Sequence, residues 1–248
     1  MKLSVIIPFY NEIDLIGRAV DSVPTNSIPA VDLEIIICND GVISEDAVRS
    51  KLGAAACKFT KIIRNVGAKG PGGARNSGLD VSVGDCMAFL DADDAWLPGK
   101  VEAQVAAFRS GATFVPTAYR FNKNQAVIQP PVSIDQALDI FLSRGIGTST
   151  VMISRNLLSD LRFKDIRFAQ DTDFWYRLAH SPHFRYAAVQ ACYVEYNTGG
   201  STKNKWEQLQ YLHKVLRIND VPWQHQVRVL SSYVLTGVYN HYIKRLFV

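Results

Sequence analysis

Three aspartates follow an apolar run in the first half of the chain. Residues 86–90 read CMAFL, and Asp91, Asp93 and Asp94 come soon after them. Mg²⁺ and Mn²⁺ prefer oxygen ligands and usually share them with substrate phosphates, so two carboxylates one residue apart can bind such a cation together with a diphosphate. A solvated acidic turn before Trp96 is the ordinary alternative. The apolar run favours the metal site, because carboxylates beside buried structure need a cation or another partner.

A glycine-rich segment precedes these aspartates. Residues 67–78 read GAKGPGGARNSG and contain five glycines and Arg75. Glycines let a backbone approach a ligand closely, and an arginine can bind a phosphate or a base edge. The segment lacks the spacing of a dinucleotide fingerprint and has no glycine followed by lysine and serine or threonine, as a phosphate loop requires. A flexible connection that leads into a helix explains it equally well.

Two further polar motifs end apolar runs near the N-terminus. Tyr10 and Glu12 follow residues 3–9, and Asp40 follows residues 33–39. Asp40 can accept hydrogen bonds from a base or a ribose, although an aspartate followed by a glycine is also a common turn.

A later acidic motif opens a helical pattern. An aspartate at the start of that pattern, Asp171, can act as a general base for a hydroxyl nucleophile. Acidic residues also cap helix starts widely. Asp171 and Asp173 are two positions apart, so we expect them to point in different directions and to differ in role.

Residues 198–203 form a second glycine-rich turn, TGGSTK. Such a turn can close over a diphosphate, with Lys203 as the counter-charge. A hinge that caps the following helix is the alternative.

The elements that position these motifs are read from hydrophobic periodicity. Strand-like runs at 3–9, 33–39, 57–64 and 86–94 alternate with helical patterns at 11–23, 44–53, 72–83 and 98–109. This order predicts a parallel sheet with helices on both faces. Ligands of such sheets bind beyond the carboxyl ends of the strands, so we expect the polar motifs to form one site.

The second half of the chain is mixed. Strands are predicted at 112–121, 147–154 and 184–196, and helices at 135–143 and 170–180. The tail from residue 203 to 248 reads as two helices separated near Pro222.

The length of the chain allows one large α/β domain, or one domain plus a helical appendage. The chain has 248 residues, 48% of them hydrophobic and 20% charged, which is typical of a globular protein. The net charge of +4 suits an anionic ligand or an acidic membrane face. The four cysteines form no CxxC pair, which favours free thiols in a reducing compartment. With no signal-like segment or membrane span in the sequence, we expect a cytoplasmic protein, with contact to the membrane surface left open.

Five motifs occur in a fixed order: residues 5–12 (VIIPFYNE), 39–41 (NDG), 73–78 (GARNSG), 89–94 (FLDADD) and 170–175 (QDTDFW). Together they make the chain resemble the family 2 inverting glycosyltransferases, which have the GT-A fold. The resemblance covers about residues 3 to 202. It implies a Rossmann-like, mostly parallel sheet flanked by helices in a nucleotide-sugar-binding domain (1–202), followed by a C-terminal helical extension (203–248).

The resemblance also implies a role for each matching residue. It implies that Pro8, Tyr10, Glu12 and Asp40 hold the nucleotide base, that Gly73 and Arg75 belong to the nucleotide site, that Asp91 faces the ribose, that Asp93 binds Mn²⁺ or Mg²⁺, and that Asp171 deprotonates the acceptor hydroxyl.

By the same resemblance we expect metal-dependent, inverting transfer of one sugar from a nucleotide diphosphate sugar. UDP is the commonest nucleotide of the family, and a lipid-linked saccharide of bacterial surface polysaccharide is the expected acceptor. The chain departs from the family pattern at Gln170, where a glutamate is usual, and after Asp40. It lacks the Gln/Arg-x-x-Arg-Trp signature of processive members.

Alternatives remain for the activity and for the tail. A nucleotidyltransferase also places carboxylates and a glycine-rich loop beside a parallel sheet, but its loop normally follows the first strand, where this chain has Tyr10, Asn11 and Glu12. A nucleotide- or sugar-binding module without activity is the non-enzyme alternative. The tail's aromatic and basic residues suit core packing, a homodimer or a membrane surface. We expect no nucleic-acid partner.

Overall fold

The computed structural model describes residues 1–25, 31–143, 145–197 and 205–238. Within these ranges the chain forms ten strands, ten α-helices and one 3-10 turn, Thr148–Thr150. The strands are β1 Lys2–Phe9, β2 Asp32–Asn39, β3 Thr60–Arg64, β4 Cys86–Phe89, β5 Ala95–Trp96, β6 Phe114–Val115, β7 Thr117–Phe121, β8 Asn124–Ile128, β9 Met152–Ser154 and β10 Val189–Tyr196. The helices are α1 Ile16–Asp21, α2 Glu45–Arg49, α3 Ala54–Cys57, α4 Pro71–Val81, α5 Lys100–Arg109, α6 Asp139–Leu142, α7 Arg155–Leu158, α8 Gln170–Leu178, α9 Lys205–Ile218 and α10 Trp223–Val238.

The main sheet has six strands in the order β3-β2-β1-β4-β9-β6. The first four are parallel, as the alternation of strands and helices predicts, and β3 lies at the edge. Strands β9 and β6 extend the sheet in antiparallel fashion. The sheet is therefore mostly parallel, which confirms the predicted fold class.

Both faces of the sheet are covered, because β1 is buried on both sides from Leu3 to Phe9. Val5 and Ile7 belong to the hydrophobic cluster that α1 and α5 cover. Ile6 points to the opposite face and belongs to a cluster that includes Trp175 of α8. This alternation explains why the sequence of β1 is continuously apolar.

A second sheet has the order β5-β10-β7-β8. The sequence predicts a single strand over 112–121, and this prediction is wrong. Pro116 divides the segment into β6 in the main sheet and β7 in the second sheet. Proline has no N–H to donate to a ladder, so it interrupts pairing and lets the chain change sheets.

Several predicted boundaries are also wrong for local reasons. The first helix begins at Ile16 rather than near Asn11, because the Glu12 carboxylate accepts the Tyr10 and Asn11 N–H groups in a turn. Strand β4 ends at Phe89 rather than residue 94, and the acidic residues form a turn beyond it. Gly53 precedes the first residue of α3 and does not end α2.

The tail forms the two predicted helices, which are separated at Pro222. Leu216 and Val229 are buried in the same cluster as Trp175. Val227 and Val234 of α10 are about half exposed. Because residues 198–204 lie outside the described ranges, the division into 1–202 and 203–248 stays a prediction.

All four cysteines carry free thiols, as expected from their spacing. Cys38 and Cys86 are buried. Burial raises the pKa of the Cys38 thiol to about 12. Among the described helices, none combines the length and apolar character needed to cross a bilayer.

Candidate active site

A cavity of about 660 Å³ opens at the carboxyl ends of β1, β2 and β4. This volume is within the range of small-molecule sites in proteins. Seven of the residues predicted from the sequence line it together. They are Pro8, Tyr10, Glu12, Asp40, Arg75, Asp91 and Asp93.

The turns after β1 and β2 pack closely against each other. A Cβ atom at Gly41 would collide with the Tyr10 carbonyl oxygen, so only glycine fits there. The Asn39 side chain holds the same turn, with its Oδ1 accepting the Gly41 N–H at 2.9 Å. Tyr10 itself is 55% exposed at the cavity mouth.

Asp40 connects the second of these turns to the glycine-rich loop. Its Oδ2 accepts the Gly70 N–H at 2.7 Å, and its Oδ1 accepts the Asn65 side-chain amide at 2.7 Å. Gly70 has a φ of +106°, a conformation that favours glycine. Asp40 therefore fixes the loop that precedes α4, in addition to lining the cavity.

Arg75 and Asp91 form a short ion pair at the cavity floor. Arg75 Nη2 is 2.6 Å from Asp91 Oδ1, and the arginine side chain is only 5% exposed. The guanidinium also lies 5.4 Å from the centre of the Phe163 ring. These contacts give Arg75 one fixed orientation, with which it holds the first aspartate of the acidic turn.

Asp93 is the second carboxylate of this turn. Burial and the neighbouring Asp91 charge raise the pKa of the Asp93 carboxyl. The Arg18 guanidinium donates to the Asp93 carbonyl oxygen at 2.8 Å and so supports the backbone of the turn. Within the described residues the Asp93 carboxylate has no ion-pair partner of its own.

This donor set fits a hard divalent cation. Asp91 and Asp93 offer oxygen ligands on one wall of the cavity. Among the described residues no three histidine, cysteine or carboxylate side chains cluster closely enough to hold a metal alone. Mg²⁺ and Mn²⁺ sites commonly use one or two carboxylates and complete the shell with phosphate and water.

Asp94 has a structural role that the sequence analysis did not assign. The carboxylate is buried and accepts hydrogen bonds from Ser149 Oγ at 2.6 Å and from the Asn197 N–H at 3.0 Å. Burial, and after it the Asp91 charge, raise the pKa of Asp94 to about 8. Its place before the apolar pair Ala95-Trp96 was the only sequence signal for this burial.

Asp171 lies in the first turn of α8 and does not line the 660 Å³ cavity. Thr148 Oγ1 donates to its Oδ2 at 3.1 Å. The next residue, Ser149, accepts the Asp91 N–H at 3.0 Å. The turn Thr148–Thr150 therefore contacts both Asp171 and the acidic turn.

Asp173 points away from this region, as its spacing from Asp171 predicts. It is fully buried and forms ion pairs with Arg177 at 2.7 Å and with Lys164 at 3.3 Å. Asn219, which follows α9, also donates to Asp173 at 2.7 Å. Asp173 therefore links α8 to the C-terminal end of α9.

Gly73 does not line the 660 Å³ cavity, and its expected contact with the nucleotide stays a prediction. A Cβ atom at this position would collide with the Ala68 carbonyl oxygen, so the glycine lets α4 pack against the preceding loop. Lys203 lies outside the described residues.

Sequence comparison finds a full-length bacterial relative. The chain is 27% identical over 248 residues to the Escherichia coli UDP-Glc:alpha-D-GlcNAc-diphosphoundecaprenol beta-1,3-glucosyltransferase WfgD. The alignment covers 96% of this chain and 94% of the relative.

Solved structures share the fold. The S. aureus TarS crystal structure in complex with UDP-GlcNAc superposes with a TM-score of 0.67 at 18% identity, over 97% of this chain and 73% of TarS. The Pyrobaculum calidifontis mannosyltransferase PcManGT, solved with GDP-Man and Mn²⁺, has a TM-score of 0.64 at 16% identity, over 97% and 70% of the two chains.

The family model for glycosyl transferase family 2 matches residues 4–179, which is more than half of the chain. This range runs from within β1 to the end of α8, and so contains every predicted site residue except Lys203. The chain therefore belongs to glycosyl transferase family 2 and is a glycosyltransferase.

Proposed function

We propose that this glycosyltransferase moves a hexose, with inversion, from a UDP-sugar to a hydroxyl group of a lipid-linked saccharide in bacterial surface polysaccharide synthesis. The convergence of Asp40, Arg75, Asp91 and Asp93 on one cavity is the observation on which this proposal depends most. The printed activity of WfgD, which uses UDP-Glc and a diphosphoundecaprenol-linked sugar, supports the choice of donor and acceptor. So does the UDP-GlcNAc bound to TarS.

In this proposal the cavity holds the donor nucleotide. The turn from Pro8 to Glu12 and Asp40 contact the base, and Asp91 faces the ribose. Arg75 orients Asp91 through their ion pair of 2.6 Å. The volume of about 660 Å³ suits a nucleotide-sized ligand.

Asp93, with Asp91 beside it, would hold Mn²⁺ or Mg²⁺ at the donor diphosphate. A divalent cation bound there neutralises charge that develops on the leaving diphosphate. The Mn²⁺ in the PcManGT structure supports this assignment. Burial and the Asp91 charge raise the pKa of Asp93. A cation bound beside Asp93 would therefore stabilise its ionised form.

The transfer is a single in-line displacement. Asp171 accepts the proton of the acceptor hydroxyl as that oxygen bonds to the anomeric carbon. The bond from the anomeric carbon to the diphosphate oxygen breaks on the opposite face, and UDP leaves with that electron pair. Attack from the face opposite the leaving group inverts the anomeric centre.

The tail is assigned to acceptor and membrane contacts. A cavity of about 370 Å³ lies between Thr172, next to Asp171, and Tyr211 and Tyr233 of the tail helices. Trp223 and Val227 lie one turn apart on α10 and are both more than half exposed. We propose that this exposed face rests on the cytoplasmic membrane surface, where the lipid-linked acceptor would be held. Co-sedimentation with anionic vesicles tests this, and equal sedimentation of a Trp223→Gln, Val227→Gln variant would contradict it.

The absence of the signature of processive members from the sequence favours addition of one sugar per acceptor. The first turn of α8 continues into Arg177 and Leu178 without the signature of processive members. A homodimer through the exposed face of α10 is the alternative use of that surface. Sedimentation velocity in detergent-free buffer distinguishes them, since a membrane face leaves the protein monomeric.

Calorimetric titration of UDP, with and without Mn²⁺, tests the donor site. We expect binding that Mn²⁺ strengthens and that Asp93→Ala makes insensitive to Mn²⁺. Asp171→Asn should keep UDP affinity and lose sugar transfer. If neither UDP nor another nucleotide diphosphate binds the parent protein, the proposed function is wrong.

A further inference from the structure

A smaller cavity of about 180 Å³ adjoins the proposed donor cavity. The segment of Lys69, Gly70 and Pro71 lines both cavities and separates them. The far wall of the small cavity includes Gln170, the residue directly before Asp171. The small cavity therefore lies between the donor cavity and the helix that presents the proposed base, and it is too small for a nucleotide.

The first turn of α4 forms one side of this cavity. The helix has 11 residues, and its first internal hydrogen bond runs from the Ala74 N–H to the Gly70 carbonyl. The N–H groups of Gly72 and Gly73 precede that bond and have no partner among the described residues. Free N–H groups at a helix N-terminus, with the positive end of the helix dipole, favour an anion.

Gln170 faces the same turn from α8. The residue is only 9% exposed, and its side-chain amide has no hydrogen-bond partner in the part of the chain that the structure describes. Its Oε1 occupies the space that a Cβ at Gly72 would need, so the amide sits directly against the helix start. The polar atoms of the amide are open to the cavity, so a ligand bound there can take up their hydrogen bonds.

The charges around the cavity favour an anionic ligand. Lys69 and Arg167 line it and form no ion pair with any described residue. Arg167 lies over the Phe168 ring at 5.4 Å, which restrains its guanidinium. Lys164 is already engaged by Asp173, and Asp165 is the one acidic residue of the wall. Lys69 and Arg167 thus leave an uncompensated positive charge.

We propose that this cavity binds a phosphate group of the acceptor, so that the enzyme selects saccharides linked to a phosphate or diphosphate. The inference rests on the proposed function, which places the donor diphosphate at Asp91 and Asp93 in the other cavity. A phosphate held by the Gly72 and Gly73 N–H groups, Gln170 and Arg167 leaves the attached sugar free to reach Asp171. Gln170 Oε1 lies against Gly72, and its Nε2 donates to a phosphate oxygen, a bond that a carboxylate could not make.

Direct binding is tested with inorganic diphosphate titrated into UDP-saturated, metal-free protein. We expect one further binding event. Gln170→Glu, which has the same size and a negative charge, and Arg167→Gln should weaken it about tenfold or more. Arg109→Gln is the matched control, because Arg109 is exposed on α5 and lines neither cavity. Diphosphate that binds only when UDP is left out, or that binds Gln170→Glu as tightly as the parent, overturns the inference.

Kinetics distinguish an acceptor phosphate from a free anion. Two acceptors with the same saccharide are compared, one a 1-diphosphate ester and the other a methyl glycoside. The parent should have the lower KM for the ester, and Arg167→Gln should raise that KM about tenfold without changing UDP affinity. Equal KM values for the two acceptors would overturn the inference while transfer itself continued. A protein that binds no UDP would instead defeat the proposed function, and the comparison of diphosphate binding by the parent and by Gln170→Glu would still report on this cavity.

Discussion

The hydroxyl of Thr148 donates a hydrogen bond to the carboxylate of Asp171, with 3.1 Å between Oγ1 and Oδ2. One residue later, Ser149 Oγ accepts the Asp91 N–H and donates to buried Asp94. A single 3-10 turn therefore contacts the proposed base on one side and the proposed metal-binding turn on the other. The relative position of the two reaction partners depends on this turn.

Removal of the Thr148 hydroxyl should slow the chemistry without weakening donor binding. Thr148→Val keeps the shape of the side chain but leaves the Asp171 carboxylate held by Thr172 alone among the described residues, through the Thr172 N–H at 2.7 Å from Oδ1. With its Oδ2 no longer fixed, we expect kcat to fall about tenfold. KM for the UDP-sugar should stay unchanged. Steady-state kinetics measure both, and Thr148→Ser, which restores the hydroxyl, should recover most of kcat. A rise in donor KM, or no rescue by serine, would show that Thr148 acts only through the fold.

Arg75 and Asp91 should be energetically coupled in folding stability, and their ion pair should also support donor binding. Arg75 is almost completely buried, so Arg75→Met leaves Asp91 without its partner and should cost about 3 kcal/mol of unfolding free energy. Asp91→Asn leaves the arginine uncompensated at a similar cost. Urea unfolding of both single variants and of the double variant gives the coupling energy.

A coupling near zero in that cycle would contradict the fixed pairing. UDP titration of the same proteins provides an independent check, because Arg75 positions Asp91 in the proposed ribose contact. We expect Arg75→Met to weaken UDP binding, and Arg162→Met to leave it unchanged. Arg162 also pairs with an aspartate, Asp80, but the pair lies on the exposed outer side of α4.

Substitution of Asp171 should reduce sugar transfer, whereas substitution of Asp173 should reduce folding stability. Asp173→Asn weakens a fully buried carboxylate's contacts with Arg177, Lys164 and Asn219, and should cost about 3 kcal/mol in urea unfolding. Asp171→Asn changes a half-buried side chain that accepts hydrogen bonds from Thr148 Oγ1 and from the Thr172 N–H, and forms no ion pair within the described residues, so it should leave stability within about 1 kcal/mol. In transfer assays, Asp171→Asn should lose more activity than Asp173→Asn. Equal loss of stability in the two variants would argue against the separate roles.

The parallel half of the fold and the place of the site follow from local sequence patterns. Strands β1 and β2 are continuous apolar runs, and each ends in a polar turn, at Tyr10 and at Asp40. Because the carboxyl ends of parallel strands share one edge, the pattern alone brings these turns to one cavity. Asp91 and Asp93 follow β4 and join them by the same rule.

The contacts that complete the site could not be predicted from local sequence patterns. Ser149 and Asp94 are 55 positions apart and meet only because β9, which follows the 3-10 turn, pairs antiparallel with β4. A short polar turn inside a predicted strand gave no signal for this pairing. The second sheet was missed because Pro116 divides what reads as one apolar strand, and because β5 has two residues.

Buried Lys100 should make stability depend on pH in alkaline solution. The side chain is 1% exposed, donates to Gln104 Oε1 at 2.6 Å and lies 3.9 Å from the centre of the Trp96 ring. It has no carboxylate partner among the described residues. Burial lowers the pKa of the Lys100 amine well below its ordinary 10.5.

In the unfolded chain this amine keeps its proton up to about pH 10.5, whereas the folded protein releases it at lower pH. The unfolded state thus binds more protons between the two pKa values, so stability rises with pH in that window, by about 1.4 kcal/mol per pH unit for one proton. Lys100→Met removes this titration and costs a pH-independent amount for the hydrogen bond that Gln104 loses. Urea unfolding of both proteins at pH 7, 8 and 9 should give a stability difference that grows in favour of the parent. Parallel curves would mean that the amine stays charged in the folded protein, held by the Trp96 ring and Gln104.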